Sequence, residues 1–284
     1  MAKYLDPKAD VTFKKVFGEH KNLVISLLNA LLPLDEGKQV EKIEYLPLRY
    51  VTLTPLNEYP GYNILCEETG GRKFIVELHM NMFNHFTRCV TFRDDVAYVR
   101  QKSLAEEYNM SHEVYSLILI NEDVCPKTDQ YYHYYPTVKY TIYRKPLAGL
   151  HFVFVELPKF RAKNLTETKM QVLWLRFLTE IDESTKKAAT ALLDNPQISE
   201  ALEIVRESGL NDAERAAYEG FWDRVSIEAT KKAYMDKAIA ERDAAVEKLR
   251  QDKLDTARKM KAKGFSADDI ADLTGLAAEE IKAL

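Results

Sequence analysis

A carboxylate and an imidazole stand two residues apart at Glu77 and His79, inside the otherwise apolar run Phe74–His79. An amide, Asn63, sits in a second apolar run, Tyr62–Cys66. Residues two apart on a strand point to one face, so Glu77 and His79 project together. Polar groups on an apolar strand are costly to bury unless something pairs with them. Carboxylates presented from a hairpin beside a long helix suit a hard divalent cation. Mg²⁺ takes oxygen ligands at about 2.0–2.1 Å, usually one or two carboxylates completed by water and phosphate. A cation so held polarises a phosphodiester and lowers the pKa of an attacking water.

The elements that must position these groups are legible from patterning. Gly70-Gly71, between two short apolar runs, marks a β-hairpin. Before it, Asp10 is placed to cap a short helix with Phe13, Val16 and Phe17 on its apolar face, ended by Gly18. Leu23, Leu27, Leu28 and Leu31 give a second helix over about 22–32, stopped by Pro33. Strands are expected at 40–46 and 49–53, and a long helix at 87–108. The run Val114–Asn121 reads as a strand buried on both faces. The Tyr131–Tyr135 cluster then precedes strands at about 138–144 and 152–156. From Asn164 onward the pattern is helical: 165–181, 183–193, 196–208, and a helix opened by an Asn211/Glu214 capping box. Residues 228–263 form one long charged helix whose sparse apolar positions, Ile239, Val246, Leu249 and Met260, fit a weak coiled coil. Gly264 breaks it, and two short helices close the chain around Thr274-Gly275. The expected architecture is an α/β mixed-sheet core over 1–160, a helical segment over 161–226, and a long helix with a helical hairpin over 227–284.

Composition removes several classes of function. The first 160 residues hold 19 Lys/Arg against 20 Asp/Glu, and the remainder 21 against 24. Neither part has the basic excess of a tight non-specific nucleic-acid binder. No apolar run approaches the ~18 residues needed to span a bilayer, and the first residues carry no apolar signal core. Cys66, Cys89 and Cys125 are too few and too scattered for a disulfide framework or a zinc site, so reduced thiols in a cytoplasm are expected.

Several stretches together carry a resemblance. They are Asp10–Gly18 (DVTFKKVFG), Asn22–Leu32 (NLVISLLNALL), the hairpin Cys66–Leu78 (CEETGGRKFIVEL), Phe86–Phe92 (FTRCVTF) with Gln101, Glu113–Asn121 (EVYSLILIN), and the tail Gly264–Leu276 (GFSADDIADLTGL). In this order the chain resembles the PD-(D/E)XK family transposases, also called recombination-promoting nucleases. That resemblance implies a restriction-endonuclease-like core and Mg²⁺- or Mn²⁺-dependent cleavage of DNA. It places the family's Asp at Asn63, its Glu at Glu77 and its Gln at His79, with the helix Gln at Gln101 and a supporting Arg at Arg88. Two of the three core positions therefore depart from the family pattern. Asn63 offers a neutral carbonyl oxygen where the family has a charge.

The implied roles are Glu77 as metal ligand, Asn63 as a weaker second ligand, His79 orienting or deprotonating the water, and Gln101 holding a ligand or phosphate. Asp10 is a further metal-ligand candidate beside its reading as a helix cap. His79 also reads as a hydrogen-bonded histidine under the helix, and Asn63 as an ordinary polar strand residue. Glu67 shares the parity of Asn63 but lies roughly 13 Å nearer the turn, too far to replace the missing acid. The second tail helix is acidic and short, so the tail favours protein contact over base reading. The expectation is a family nuclease with a degenerate site, self-associating through 227–284. The rival is a non-catalytic DNA-binding or regulatory protein on the same fold.

Overall fold

A computed structural model of the chain describes residues 4–46, 61–81, 113–136, 138–139, 146–147, 150–164 and 166–283. The expected strand at 49–53 and helix at 87–108, with Arg88 and Gln101, lie outside them.

Helices α1 (Asp10–Glu19) and α2 (Lys21–Leu31) lead into strands β1 (Val40–Tyr45), β2 (Gly61–Glu68), β3 (Lys73–Asn81), β4 (Glu113–Ile120) and β5 (Tyr132–Tyr135). The short pair β6 (Val138–Lys139) and β7 (Pro146–Leu147) makes a separate ribbon, and β8 (Leu150–Glu156) returns to the main sheet. Its order is β1-β2-β3-β4-β8-β5. The β1-β2-β3 meander is antiparallel, β3-β4-β8 is parallel, and β5 closes the far edge antiparallel to β8. This is a mixed α/β sheet, with its parallel strands in the middle.

Strand alternation sorts the hairpin into two faces. Ile64, Cys66, Phe74, Val76, Leu78 and Met80 are fully buried, while Asn63, Glu77 and His79 are half-buried on the opposite side. The buried face meets Phe13, Val16 and Phe17 of α1 and Leu23, Leu27 and Leu28 of α2 in one core. Glycine dihedrals at Gly70 (φ 97°) and Gly71 (φ 83°) turn the chain between the strands. Arg72 then clasps Glu68 at 2.8 and 2.9 Å and reaches Glu113 at 2.8 Å, tying the turn to the start of β4.

The same core continues into the helices after Asn164. Helix α3 (Met170–Glu180) places Trp174 against Phe17, with ring centroids 5.5 Å apart, and α5 (Pro196–Ile204) adds Ile198, Ala201 and Leu202. Two expected helices are shorter than their sequence patterns. Asn164 accepts from the Thr166 backbone N–H (3.0 Å) and hydroxyl (2.8 Å), an Asx turn that holds the chain out of helix until Met170. Asp182 does the same with Ser184 and Thr185, so the 183–193 stretch is helical only in α4 (Thr190–Leu193). The Tyr131–Tyr135 cluster, read as preceding the strands, itself supplies β5.

Helix α6 runs unbroken from Asp212 to Ala262. The expected capping box opens it: the Glu214 N–H donates to Asn211 Oδ1 and the Asn211 N–H to a Glu214 carboxylate oxygen, each at 2.9 Å. The division expected near 226 is not a helix break, although the chain separates into compact units of residues 1–225 and 226–284 there. In the second unit, Ile270 of α7 (Ala267–Thr274), Ile281 of α8 (Ala278–Lys282) and Leu276 between them are buried with Ala257. Among the described residues no helix is long and apolar enough to cross a membrane.

Candidate functional site

The hairpin brings Asn63 and Glu77 together as direct cross-strand partners on β2 and β3. Side chains of such a pair leave the sheet about 4.5–5.5 Å apart. Glu77 has a second neighbour across the parallel ladder, Ser116, whose Oγ donates to Glu77 Oε2 at 2.9 Å. Ser116 is buried, so this bond fixes one carboxylate oxygen from below.

His79 follows on the same face, paired with Gly61. Its ring lies over that glycine: a Cβ there would collide with Nδ1 and stand 2.6 Å from Cε1. Only glycine leaves room for the imidazole in this position. Beside it, Ile118 and Ile120 of β4 pack with Phe154 and Val124, so the polar trio borders an apolar floor.

Asp10 is placed elsewhere. It is the first residue inside α1, and Ala9 is the N-cap, with no side-chain capping bond. Its carboxylate favours the helix through the dipole rather than through a cap, and it pairs with Arg224 at 3.3 Å. Helix α1 covers the Tyr62 side of the hairpin, where Phe13 and Tyr62 stack with centroids 6.4 Å apart. Alternation puts Asn63 and Glu77 on the other side. Glu67 shares their face but is engaged near the turn, at 3.0 Å from Lys42 and 3.8 Å from Lys73, and the Lys42 hydrogen bond holds its pKa below the ordinary range. Gln101 lies outside the described residues.

The donor set suits a divalent ion at the lower limit of what such ions accept. One carboxylate and one amide oxygen share a half-buried face, and Mg²⁺ is held in many sites by one or two carboxylates with substrate oxygens. The neighbouring imidazole is a donor that softer first-row ions take more readily than Mg²⁺.

A second polar cluster, which sequence spacing does not reveal, forms at the far edge of the sheet. Glu156 is buried at the end of β8. Its Oε1 lies 2.9 Å from His133 Nε2; its Oε2 accepts from the backbone N–H groups of Val124 (2.7 Å) and Cys125 (3.2 Å) and pairs with Lys159 at 2.9 Å. Burial raises the Glu156 pKa, but the Lys159 ammonium and the two amides outweigh it, so the group stays below its ordinary value. Burial and the Glu156 charge push the Cys125 thiol up, which argues against a nucleophilic thiolate at neutral pH.

No curated protein and no solved structure matches this chain. A family model described as PD-(D/E)XK nuclease family transposase matches residues 7–243, most of the chain and all of the sheet. With a mixed sheet, a β2–β3 hairpin carrying Glu77 opposite Asn63, and that match, the chain belongs to the PD-(D/E)XK nuclease family transposases.

Proposed function

We propose that the Asn63–Glu77–His79 face is a divalent-metal-dependent site for cleaving DNA phosphodiesters, working with a depleted ligand set. The observation that supports this most is the register pairing of Asn63 with Glu77, beside His79. A bound Mg²⁺ or Mn²⁺ supplies Lewis acidity and a more acidic water. Glu77 is the principal ligand, oriented by Ser116. The Asn63 carbonyl oxygen is the weaker second ligand. His79 orients or deprotonates the attacking water, its ring held in register by Gly61. Gln101 is assigned to a ligand or phosphate. Asp10 is left out of the set because its helix covers the other face.

A plasmid-nicking assay with Mg²⁺ or Mn²⁺ tests the reading. Slow nicking by the natural chain, lost in Glu77→Ala, is the expected result. Nicking that survives Glu77→Ala would place the chemistry elsewhere, and DNA retention without nicking by either protein would favour the non-catalytic binding protein on the same fold.

Self-association runs through α6 in this reading. Met235, Ile239, Val246 and Leu249 recur at spacings of four, seven and three residues, and all are exposed. That is a seam that a second helix covers in a coiled coil. Light scattering on the full chain is expected to give an oligomer that Val246→Asp/Leu249→Asp converts to monomer; an unchanged mass removes this part of the proposal.

A further inference from the structure

We propose that Cys125, His133 and Glu156 form a binding site for a transition-metal ion of the zinc class, separate from the Glu77 face. One ligand atom from each residue, a thiol sulfur, an imidazole nitrogen and a carboxylate oxygen, lies within 4.8 Å of the other two. Thiolate, imidazole and carboxylate are the donors from which zinc sites are made, with bonds of about 2.0–2.3 Å. The three residues come from different elements: Cys125 from the β4–β5 connection, His133 from the edge strand β5 and Glu156 from the end of β8.

The carboxylate is divided in a way that suits a one-oxygen ligand. Oε2 is occupied by the Val124 and Cys125 amides and by Lys159, while Oε1 faces His133 Nε2. Anchoring one oxygen with hydrogen bonds orients the other, as outer groups do at metal centres. The Cys125 amide bonded to Glu156 also ties the loop that carries the sulfur to the carboxylate. Lys159 reinforces this loop, bonding the Cys125 carbonyl at 2.6 Å and Asp123 at 2.9 Å. Binding the ion releases the Cys125 thiol proton to solvent, and the charges then balance: Glu156, Asp123 and the Cys125 thiolate carry three negative charges, and Lys159 with a divalent ion carries three positive. The ion then replaces the His133–Glu156 hydrogen bond, with His133 Nε2 and Glu156 Oε1 as two of its donors.

The two sites differ in position and in preference. Glu77 and Glu156 lie on one face of the sheet, two strands and four register steps apart, roughly 16 Å by strand geometry. Sulfur and nitrogen donors select zinc-class ions, whereas carboxylate and amide oxygens select Mg²⁺ or Mn²⁺. An ion at Cys125–His133–Glu156 would clamp the edge strand β5 and its loop onto β8.

The test uses full-length, chelator-treated protein and Co²⁺ as a spectroscopic probe. One equivalent of Co²⁺ is expected to give a thiolate-to-cobalt charge-transfer band that Zn²⁺ displaces and Mg²⁺ does not. Cys125→Ser is expected to abolish it, His133→Gln to weaken Co²⁺ binding about tenfold or more, and Glu77→Ala to leave it intact even where nicking is lost. A second measurement needs no variant: Zn²⁺ should slow alkylation of Cys125, mapped by mass spectrometry, and Mg²⁺ should not. Absence of the band, its persistence in Cys125→Ser with a native circular-dichroism spectrum, or an alkylation rate indifferent to Zn²⁺ would each overturn the assignment.

Discussion

Asn63→Asp is expected to raise Mg²⁺-dependent nicking at least about tenfold, a change of about 1.4 kcal/mol in the barrier. The reason is local. Asn63 and Glu77 are direct partners across the hairpin, both half-buried. An amide oxygen there contributes a dipole, and an aspartate contributes a full charge to the same point. Two carboxylates at cross-strand distance repel, which disfavours the ionised pair until a cation lies between them. The variant should therefore lose stability without metal and regain it with Mg²⁺, by more than the natural chain does. Nicking and a Mg²⁺-dependent melting shift are two independent readouts. If Asn63→Asp changes neither, Asn63 and Glu77 do not share an ion and the depleted-site reading fails.

How much of this was legible in the sequence depends on what carried each signal. The hairpin, α1, α2 and β4 followed from apolar periodicity and from Gly70-Gly71, because burial and turn dihedrals act locally on those residues. The placement of Glu77 and His79 on one face followed from strand parity alone. The sequence places Asp10 at the cap and the structure one position inside it, because a cap differs from the first helical residue by one position and only the backbone shows that Ala9 holds it. The Asx turns at Asn164 and Asp182 shortened two helices, since a side chain that bonds its own backbone competes with the helix.

The Cys125, His133 and Glu156 grouping had no sequence signal of that kind. Its members lie on a loop, an edge strand and a central strand, and their spacing matches no compact ligand template. It exists because β5 pairs with β8 rather than standing before the strands. The long charged helix is legible in the sequence, but not its start at Asp212: Gly220 stands between the capping box and the charged stretch, and the helix runs through it.

Trp174→Ala is expected to cost about 3–5 kcal/mol, a value typical of emptying a buried aromatic site. Trp174 is fully buried in α3, tilted against Phe17 of α1 and edge-on to Phe177 at 5.7 Å. Its indole Nε1 donates to Ser26 Oγ of α2 at 3.0 Å. One side chain therefore joins three helices, two of them packed directly on the sheet that carries Glu77. For a unit of this size the loss corresponds to a melting point lower by about 10 °C. Ser26→Ala separates the polar contribution: it leaves the ring in place and its N–H without that acceptor, for about 1–3 kcal/mol. The helices after Asn164 are then part of the core that holds the hairpin, and Trp174→Ala should reduce nicking in step with the folded fraction and leave the metal dependence of the remaining folded protein unchanged. A Trp174→Ala melting curve within about 2 °C of the natural chain would mean that α3 only decorates a sheet stable without it.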